Sequence, residues 1–272
     1  MTRLAEYAEA RELTLNLTLR ELRSRYKRSA LGWTWSLLNP LSTVIVFSIV
    51  FAFFLKIDPP VGDPSGLDSF PMFLLCGLLP FNYLSNSMNA SLDSLLANSN
   101  LIRKVYFPRE VLVVSTLAAL LVTLLVEFAV LCVLLLILGN MVLPWIPVLL
   151  GLVVIQSVFV LGIGLILSVL NVYFRDVKHF IGIALQALFY SAPIVYPVRF
   201  VEDAAERTSF PVLRVYTLNP LVRFVDAYRA VLYDLRFPAL SDVVYITVWA
   251  VAMLGLGLLV FSRLDRRLAE EV

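Results

Sequence analysis

The sequence predicts an all-α membrane protein of six transmembrane helices, with an amphipathic helix before the first span and amphipathic or re-entrant helices between the fifth and sixth. Three observations predict it. Hydrophobic residues make up 60% of the 272 residues and charged residues 15%, with a mean hydropathy of +0.86; soluble domains run about 45–50% apolar and about 25% charged. Six apolar stretches, 37–56, 70–90, 111–138, 146–170, 180–197 and 243–262, approach the roughly 20 residues that a helix needs to cross about 30 Å of hydrocarbon. The connections between them, finally, alternate between basic and nearly uncharged.

Before the first span, residues 1–36 read as a helix at the cytoplasmic interface. On a helical wheel Leu15, Leu19, Leu22 and Tyr26 form one stripe, and Arg20, Arg23 and Lys27 lie elsewhere. Leu13 and Leu17 project to the opposite side, and "LTLNLTL" also alternates as a strand would, but an isolated strand has no pairing partner in view. Arg20, Arg23, Arg25, Lys27 and Arg28 then form a cationic collar facing anionic membrane lipid, at about 1 kcal/mol each. Trp33 and Trp35 mark the interface, and Asn39-Pro40 ends the surface segment and starts the first span.

The second stretch is interrupted by Pro80, Asn82, Asn86 and Asn89, so it is expected to face protein or water and not lipid. The third holds Glu127, the one ionisable group at mid-membrane. A carboxyl there costs about 2.5–3.5 kcal/mol on insertion scales; it is either protonated and bonded to a neighbouring helix or engaged in ion binding or gating. Seven Lys and Arg precede the first span, three lie in 91–110, two in 171–179 and three in the tail 263–272. With six spans these fifteen share one side, while 57–69 and 139–145 hold none. Both termini are therefore expected on the cytoplasmic side of an inner membrane.

The connection 198–242 departs from that bias with six arginines. After Asn219-Pro220, an N-cap and first helical residue, comes the stripe Leu221, Phe224, Val225, Tyr228, Val231 and Leu232, with Arg223 and Asp226 off it. At about fourteen residues this helix is too short to span. It dips into the outer leaflet or packs on the bundle, as a surface cap or as a moving gate.

Catalytic groups are scarce. Cys76 and Cys132 lie inside apolar runs, and the single histidine, His179, is far from both, so no metal-ligand set assembles. A phosphate loop of the G-x-x-x-x-G-K-[ST] type is absent from the sequence, and no nucleophile set stands out. Nor does a cleavable signal peptide open it. These features favour a transporter, channel or subunit over an enzyme.

Three stretches carry a resemblance: "RELRSRYKRSALGWTWSLLNPL" from Arg20, "NLIRKVYFPRE" from Asn100 and "LSVLNVYFRDVKH" from Leu167. Together, and with the length and the long outer connection, the chain resembles the permease subunits of ATP-binding-cassette exporters for cell-surface polysaccharides, the O-antigen and teichoic acid exporter family. The resemblance implies a homodimeric permease with two copies of a separate ABC ATPase, moving an undecaprenyl-type lipid-linked glycan. ATP and Mg would then sit on the ATPase and no cofactor on this chain, and no nucleic acid is implied as a partner. An exporter of small lipophilic molecules or drugs is the alternative within transport; a membrane-embedded enzyme of glycan assembly is the alternative outside it.

The resemblance also implies roles. Contacts that couple to the ATPase fall on Arg103, Lys104, Tyr106 and Phe107, with Arg175 and Asp176 as a second candidate. Channel-lining aromatics fall on Phe47, Phe51 and Phe54 of the first span and Phe189, Tyr190 and Tyr196 of the fifth, since sugars stack their apolar faces on rings. Outer gate positions fall on Leu221, Phe224, Val225, Tyr228 and Leu232.

Overall fold

A computed structural model describes residues 3–26, 34–54, 60–105, 107–206 and 212–271; Lys27, Arg28, Trp33 and Tyr106 lie outside them, as does the side chain of Arg25. Every regular element among the described residues is helical, as expected. In chain order they are α1 (Arg3–Tyr26), α2 (Thr34–Phe47, running on as a π turn, Ser48–Phe54), α3 (Phe70–Ser94), α4 (Ser99–Lys104), α5 (Glu110–Ile137), α6 (Ile146–Tyr173), α7 (Val177–Ser191), α8 (Arg199–Glu206), α9 (Val212–Leu218), α10 (Pro220–Arg229, continued by a π turn, Ala230–Asp234) and α11 (Leu240–Glu271).

Three described helices are long and apolar enough to cross a membrane: Glu110–Ile137, the stretch Leu143–Tyr173 that includes α6, and Leu240–Asp265. At 1.5 Å per residue the first is about 42 Å long, with room for tilt. α3 is as continuous as these but occupies the centre, packed by α2, α5, α6, α7 and α10. Leu74, Cys76, Leu79, Leu84 and Leu92 on several of its faces are buried. Protein therefore packs around Pro80, and Ser87, Ser91 and Ser94 are buried with it, whereas Asn82 is half-buried and Asn86 and Asn89 are exposed.

α6 and α11 approach through glycine. A methyl group added at Gly162 would fall 2.3 Å from the Met253 carbonyl carbon, and one at Gly257 would fall 2.4 Å from the Gly162 oxygen. Two turns of backbone touch there, which larger residues forbid. Gly164 makes the same allowance for Ser91 of α3, where an added Cβ would meet the hydroxyl at 2.6 Å.

Three elements differ from the sequence expectation. Asn39-Pro40 was expected to start the first span, but α2 begins at Thr34 and carries Pro40 inside it. α7 covers Val177–Ser191, whereas the fifth apolar stretch was expected to run over 180–197. The helix stops because Ala192 is extended (φ −100°, ψ 151°) ahead of Pro193, whose ring disfavours helical backbone before it. The third difference concerns the inward side of α1. Leu17 is buried and Leu13 packs beside it, and Thr18 donates to the Ser115 carbonyl of α5 at 3.4 Å. Leu15 and Leu19, from the stripe, point outward at 53% and 48% exposure. Alternating leucines give a helix two apolar sides: one meets α5, and the other is left to the surroundings.

Candidate functional site

The described chemistry gathers at two ends of the bundle, named here by the connections they hold. The proximal end carries 92–109, 171–178 and the end of α11. There α4 presents Arg103 and Lys104 outward, Phe107 is half-buried against the core, and Arg175 and Asp176 are exposed in the turn before α7. Tyr106, the fourth candidate of that set, is outside the described residues. Arg20 and Arg23 of α1 are exposed; Arg20 donates to Asn98 Oδ1 at 2.6 Å, so the collar touches the segment leading into α4. Trp35 is half exposed.

Four further contacts tie this end together. Asn171 donates to the Leu92 carbonyl at 2.8 Å, Lys178 pairs with Asp93 at 2.7 Å, Tyr173 donates to the Leu264 carbonyl at 3.1 Å, and Arg109 pairs with Asp265 at 2.9 Å. The Lys178–Asp93 pair is half exposed and contributes at most about 1 kcal/mol. The shared outcome is geometric: the ends of α3, α6 and α11 and the start of α5 are tied into one unit with α4 at its rim.

The aromatic candidates are partly assembled. Phe47 lies 5.8 Å from Phe51 and 6.2 Å from Phe189, ring centre to ring centre, and Phe189 lies 5.2 Å from Tyr190. Tyr196 joins through its hydroxyl, which donates to the Tyr190 carbonyl at 2.9 Å. Two rings not singled out from the sequence complete the series, Phe70 at 6.0 Å from Phe51 and Phe81 at 5.2 Å from Phe189. Phe54 stands apart, 69% exposed and paired with Phe53. The series runs from α2 across α3 to the end of α7.

The distal end is built on α10. Asn219 caps it by accepting from the Leu221 amide at 3.0 Å, with Pro220 next. Leu221, Phe224, Val225, Tyr228, Val231 and Leu232 are all buried, so the stripe packs on the bundle. Tyr228 stacks on Phe128 at 5.4 Å and donates to Gln156 Oε1 at 2.7 Å; Gln156 in turn donates to the Pro80 carbonyl at 2.8 Å. Asn140 donates to the Leu232 carbonyl at 2.9 Å, and Ser65 to the Tyr233 carbonyl at 2.6 Å.

Off the stripe, Arg223 pairs with Asp242. Asp226 has no hydrogen bond or ion pair among the described residues, and burial pushes its carboxyl up to about 6 against the pull of Arg229. It lines a cavity of about 470 Å³ together with Arg229, Asp234, Arg236 and Asp242. Arg229 is the residue that sequence reasoning missed. It sits four residues after Val225, on the apolar side of α10, and an arginine at a stripe position was the signal for it. Gln156 gave no comparable signal: one amide in an apolar run identifies no partner. Glu127 is half-buried on α5 and makes no hydrogen bond or ion pair among the described residues, so the expected bond to a neighbouring helix is not found there.

Comparison with known proteins supplies the context. Residues 12–233 match the family model described as ABC-2 type transporter. The chain is 30% identical over 274 residues to the O-antigen export system permease protein RfbA of Myxococcus xanthus, covering 98% of each. It is 29% identical over 264 residues to the protein of that name in Klebsiella pneumoniae, covering 95% of this chain and 94% of the relative. Against the polysialic acid transport protein KpsM of Escherichia coli it is 27% identical over 268 residues, covering 93% and 94%.

Proposed function

We propose, from the premise that this chain belongs to the ABC-2 type transporter family, that it is the permease subunit of an ATP-driven exporter of a cell-surface polysaccharide. One observation carries the reading: similarity over nearly the full length to permeases named for O-antigen export and for polysialic acid transport. The chain is a multi-pass membrane transport subunit and not an enzyme, and its partner is an ABC ATPase, which hydrolyses the ATP. In the finer reading, two copies of the permease pair with two of the ATPase, ATP and Mg sit on the latter, and the cargo is a glycan on an undecaprenyl-type lipid.

The proximal end is the cytoplasmic one in this reading. The fifteen basic residues that fall on one side of a six-span chain support it, as does the position of α4 at the rim of a tied unit. Arg103, Lys104, Tyr106 and Phe107 meet the ATPase, with Arg175 and Asp176 beside them, and the ties to α3, α6 and α11 carry the motion inward. The ring series from Phe51 to Tyr196 forms one wall of the path, since pyranose rings present apolar faces that aromatics bind. The outer connection, 198–242, closes it.

The test pairs a gene deletion with biochemistry. Cells lacking the chain should lose their surface polysaccharide and accumulate it inside, and the wild-type chain should restore it. The purified permease alone should hydrolyse no ATP, and hydrolysis should appear with the ATPase. Normal surface glycan in the deletion strain, or hydrolysis by the permease alone, would refute the reading.

A further inference from the structure

The guanidinium of Arg229 is buried, with 6% of the residue exposed, and makes no ion pair among the described residues. Asp226 and Asp234 stand near it without pairing with it, and a buried cation with no paired carboxylate is costly unless hydrogen bonds and dipoles replace its water. Arg229 has such replacements. It donates to the carbonyls of Pro193, of Ile194 (2.8 Å) and of Phe73 (3.3 Å), and it lies 3.6 Å over the Phe73 ring. Gly77 makes the room: a Cβ there would come within 3.2 Å of the guanidinium and of Val225.

The acceptors are informative. Pro193 and Ile194 belong to the break that ends α7, where Ala192, Pro193, Ile194 and Val195 are buried although no helix continues through them. Both carbonyls follow Ser191, the last residue of α7, and buried irregular backbone of this kind needs hydrogen-bond partners from elsewhere. A cation there also meets the negative end of the α7 dipole. Arg229 supplies all of this from α10 and, through Phe73, binds the same point to α3.

We infer that Arg229 is a positioning residue for the export path: reaching from α10, it holds the buried backbone that follows α7 and so fixes the aromatic wall of Phe189, Tyr190 and Tyr196. The inference rests on the reading of those rings as channel lining. A planar fork with several fixed N–H directions can serve three carbonyls at once, which the point charge of lysine cannot.

The experiment uses the assembled complex of permease and ATPase in lipid nanodiscs and compares wild type with Arg229→Met, Arg229→Lys and Gly77→Ala. Amide hydrogen exchange is followed at Ile194, Val195 and Tyr196 and, as control, along α6 and α11; glycan export is measured in cells. Arg229→Met should speed exchange at the three amides at least tenfold with the control helices unchanged, and lower export at least tenfold. Arg229→Lys should recover part of both. Gly77→Ala, which keeps the charge and crowds it, should give a smaller increase confined to the same amides, and it decides the matter if Arg229→Met does not assemble. Wild-type exchange at 194–196 in Arg229→Met, or in Gly77→Ala where that variant decides, would overturn the inference. So would an increase spread evenly over α6 and α11, or local loosening with normal export. Should the wild type export no polysaccharide, the proposed function fails, while the exchange arm still decides whether Arg229 holds the backbone after α7.

Discussion

Two halves of one connection, α8–α9 and α10, have similar lengths and opposite fates. α10 is held at four places: by Tyr228 through Gln156 to α3, by Arg223 to Asp242 of α11, by Arg229 to the backbone after α7, and by Asn140 and Ser65 at its π turn. α8 packs mainly on α9, and both present apolar residues outward: Phe200 at 38%, Leu213 at 39% and Leu218 at 64% exposure. One of the contacts holding α9 is the Tyr245 hydroxyl, donating to the Leu218 carbonyl at 2.7 Å. An apolar stripe followed by a short helix reads equally well as a gate or as a cap. Packing differs between the two halves: every stripe residue of α10 is buried, whereas α8–α9 leaves Phe200, Leu213 and Leu218 outward, and we propose that α10 is the seat and α8–α9 the moving part. A helix moves cheaply only where few buried contacts must break.

The largest effect expected from this comparison is on stability. Tyr228→Ala removes a fully buried ring stacked on Phe128, and the hydrogen bond to Gln156, and should destabilise the protein by about 3–5 kcal/mol. Leu213→Ala in α9 should cost under about 1 kcal/mol, as a half-exposed side chain does. Thermal unfolding in detergent measures both, and equal losses would erase the distinction. Next in size, Gln156→Ala strands the Tyr228 hydroxyl and should cost about 1–3 kcal/mol in the same assay.

A third prediction sharpens the comparison in function. Cysteines at positions 218 and 245 joined by a flexible, reductant-cleavable dithiol-reactive crosslinker, pinning α9 to α11, should stop export until reductant is added. The same crosslink between positions 223 and 242, which pins α10 to α11, should leave export near its normal rate. Glycan export with and without reductant checks both, and the reverse pattern would make α10 the gate.

The smallest effect is a pH dependence. Burial holds the Asp226 carboxyl near 6 in the folded chain, against about 3.9 when unfolded. A carboxyl raised on folding costs stability above its folded value, and that cost fades as pH falls toward the unfolded value. Asp226→Asn should therefore gain stability relative to wild type at pH 8, and the gain should shrink between about pH 6 and pH 4. Unfolding midpoints across that range would show it; a gap independent of pH would mean that Asp226 is well solvated.

How much was legible follows the range of the forces involved. The apolar runs of α5, α6 and α11 announce themselves because each is a local property of about 20 residues. The cap at Asn219-Pro220 and the stripe from Leu221 to Leu232 are local too. The end of α7 was half legible: Pro193 is a breaker, but it stands in an apolar stretch that continues to Pro197. The buried side of α1 was hidden, because alternating leucines put apolar surface on both sides and only contact with α5 selects one. Arg229, Gln156 and the Gly162–Gly257 contact depend on residues at least 35 positions away, and nothing local marks their partners. Among the aromatic candidates, Phe47, Phe51, Phe189 and Tyr190 come together through Phe70 and Phe81, whereas Phe54 points away, because the π turn that holds both Phe51 and Phe54 turns less per residue than the α-helical spacing assumed.

The measurement that bears most directly on the central claim is transport itself. Proteoliposomes containing this chain and its ABC ATPase, loaded with lipid-linked polysaccharide from the same cells, should move the glycan across the bilayer on addition of ATP and Mg. Vesicles with the ATPase alone, or with a catalytically dead ATPase, should not. ATP-dependent movement that needs both proteins is the result this account predicts; glycan that stays in place with both present and ATP consumed would contradict it.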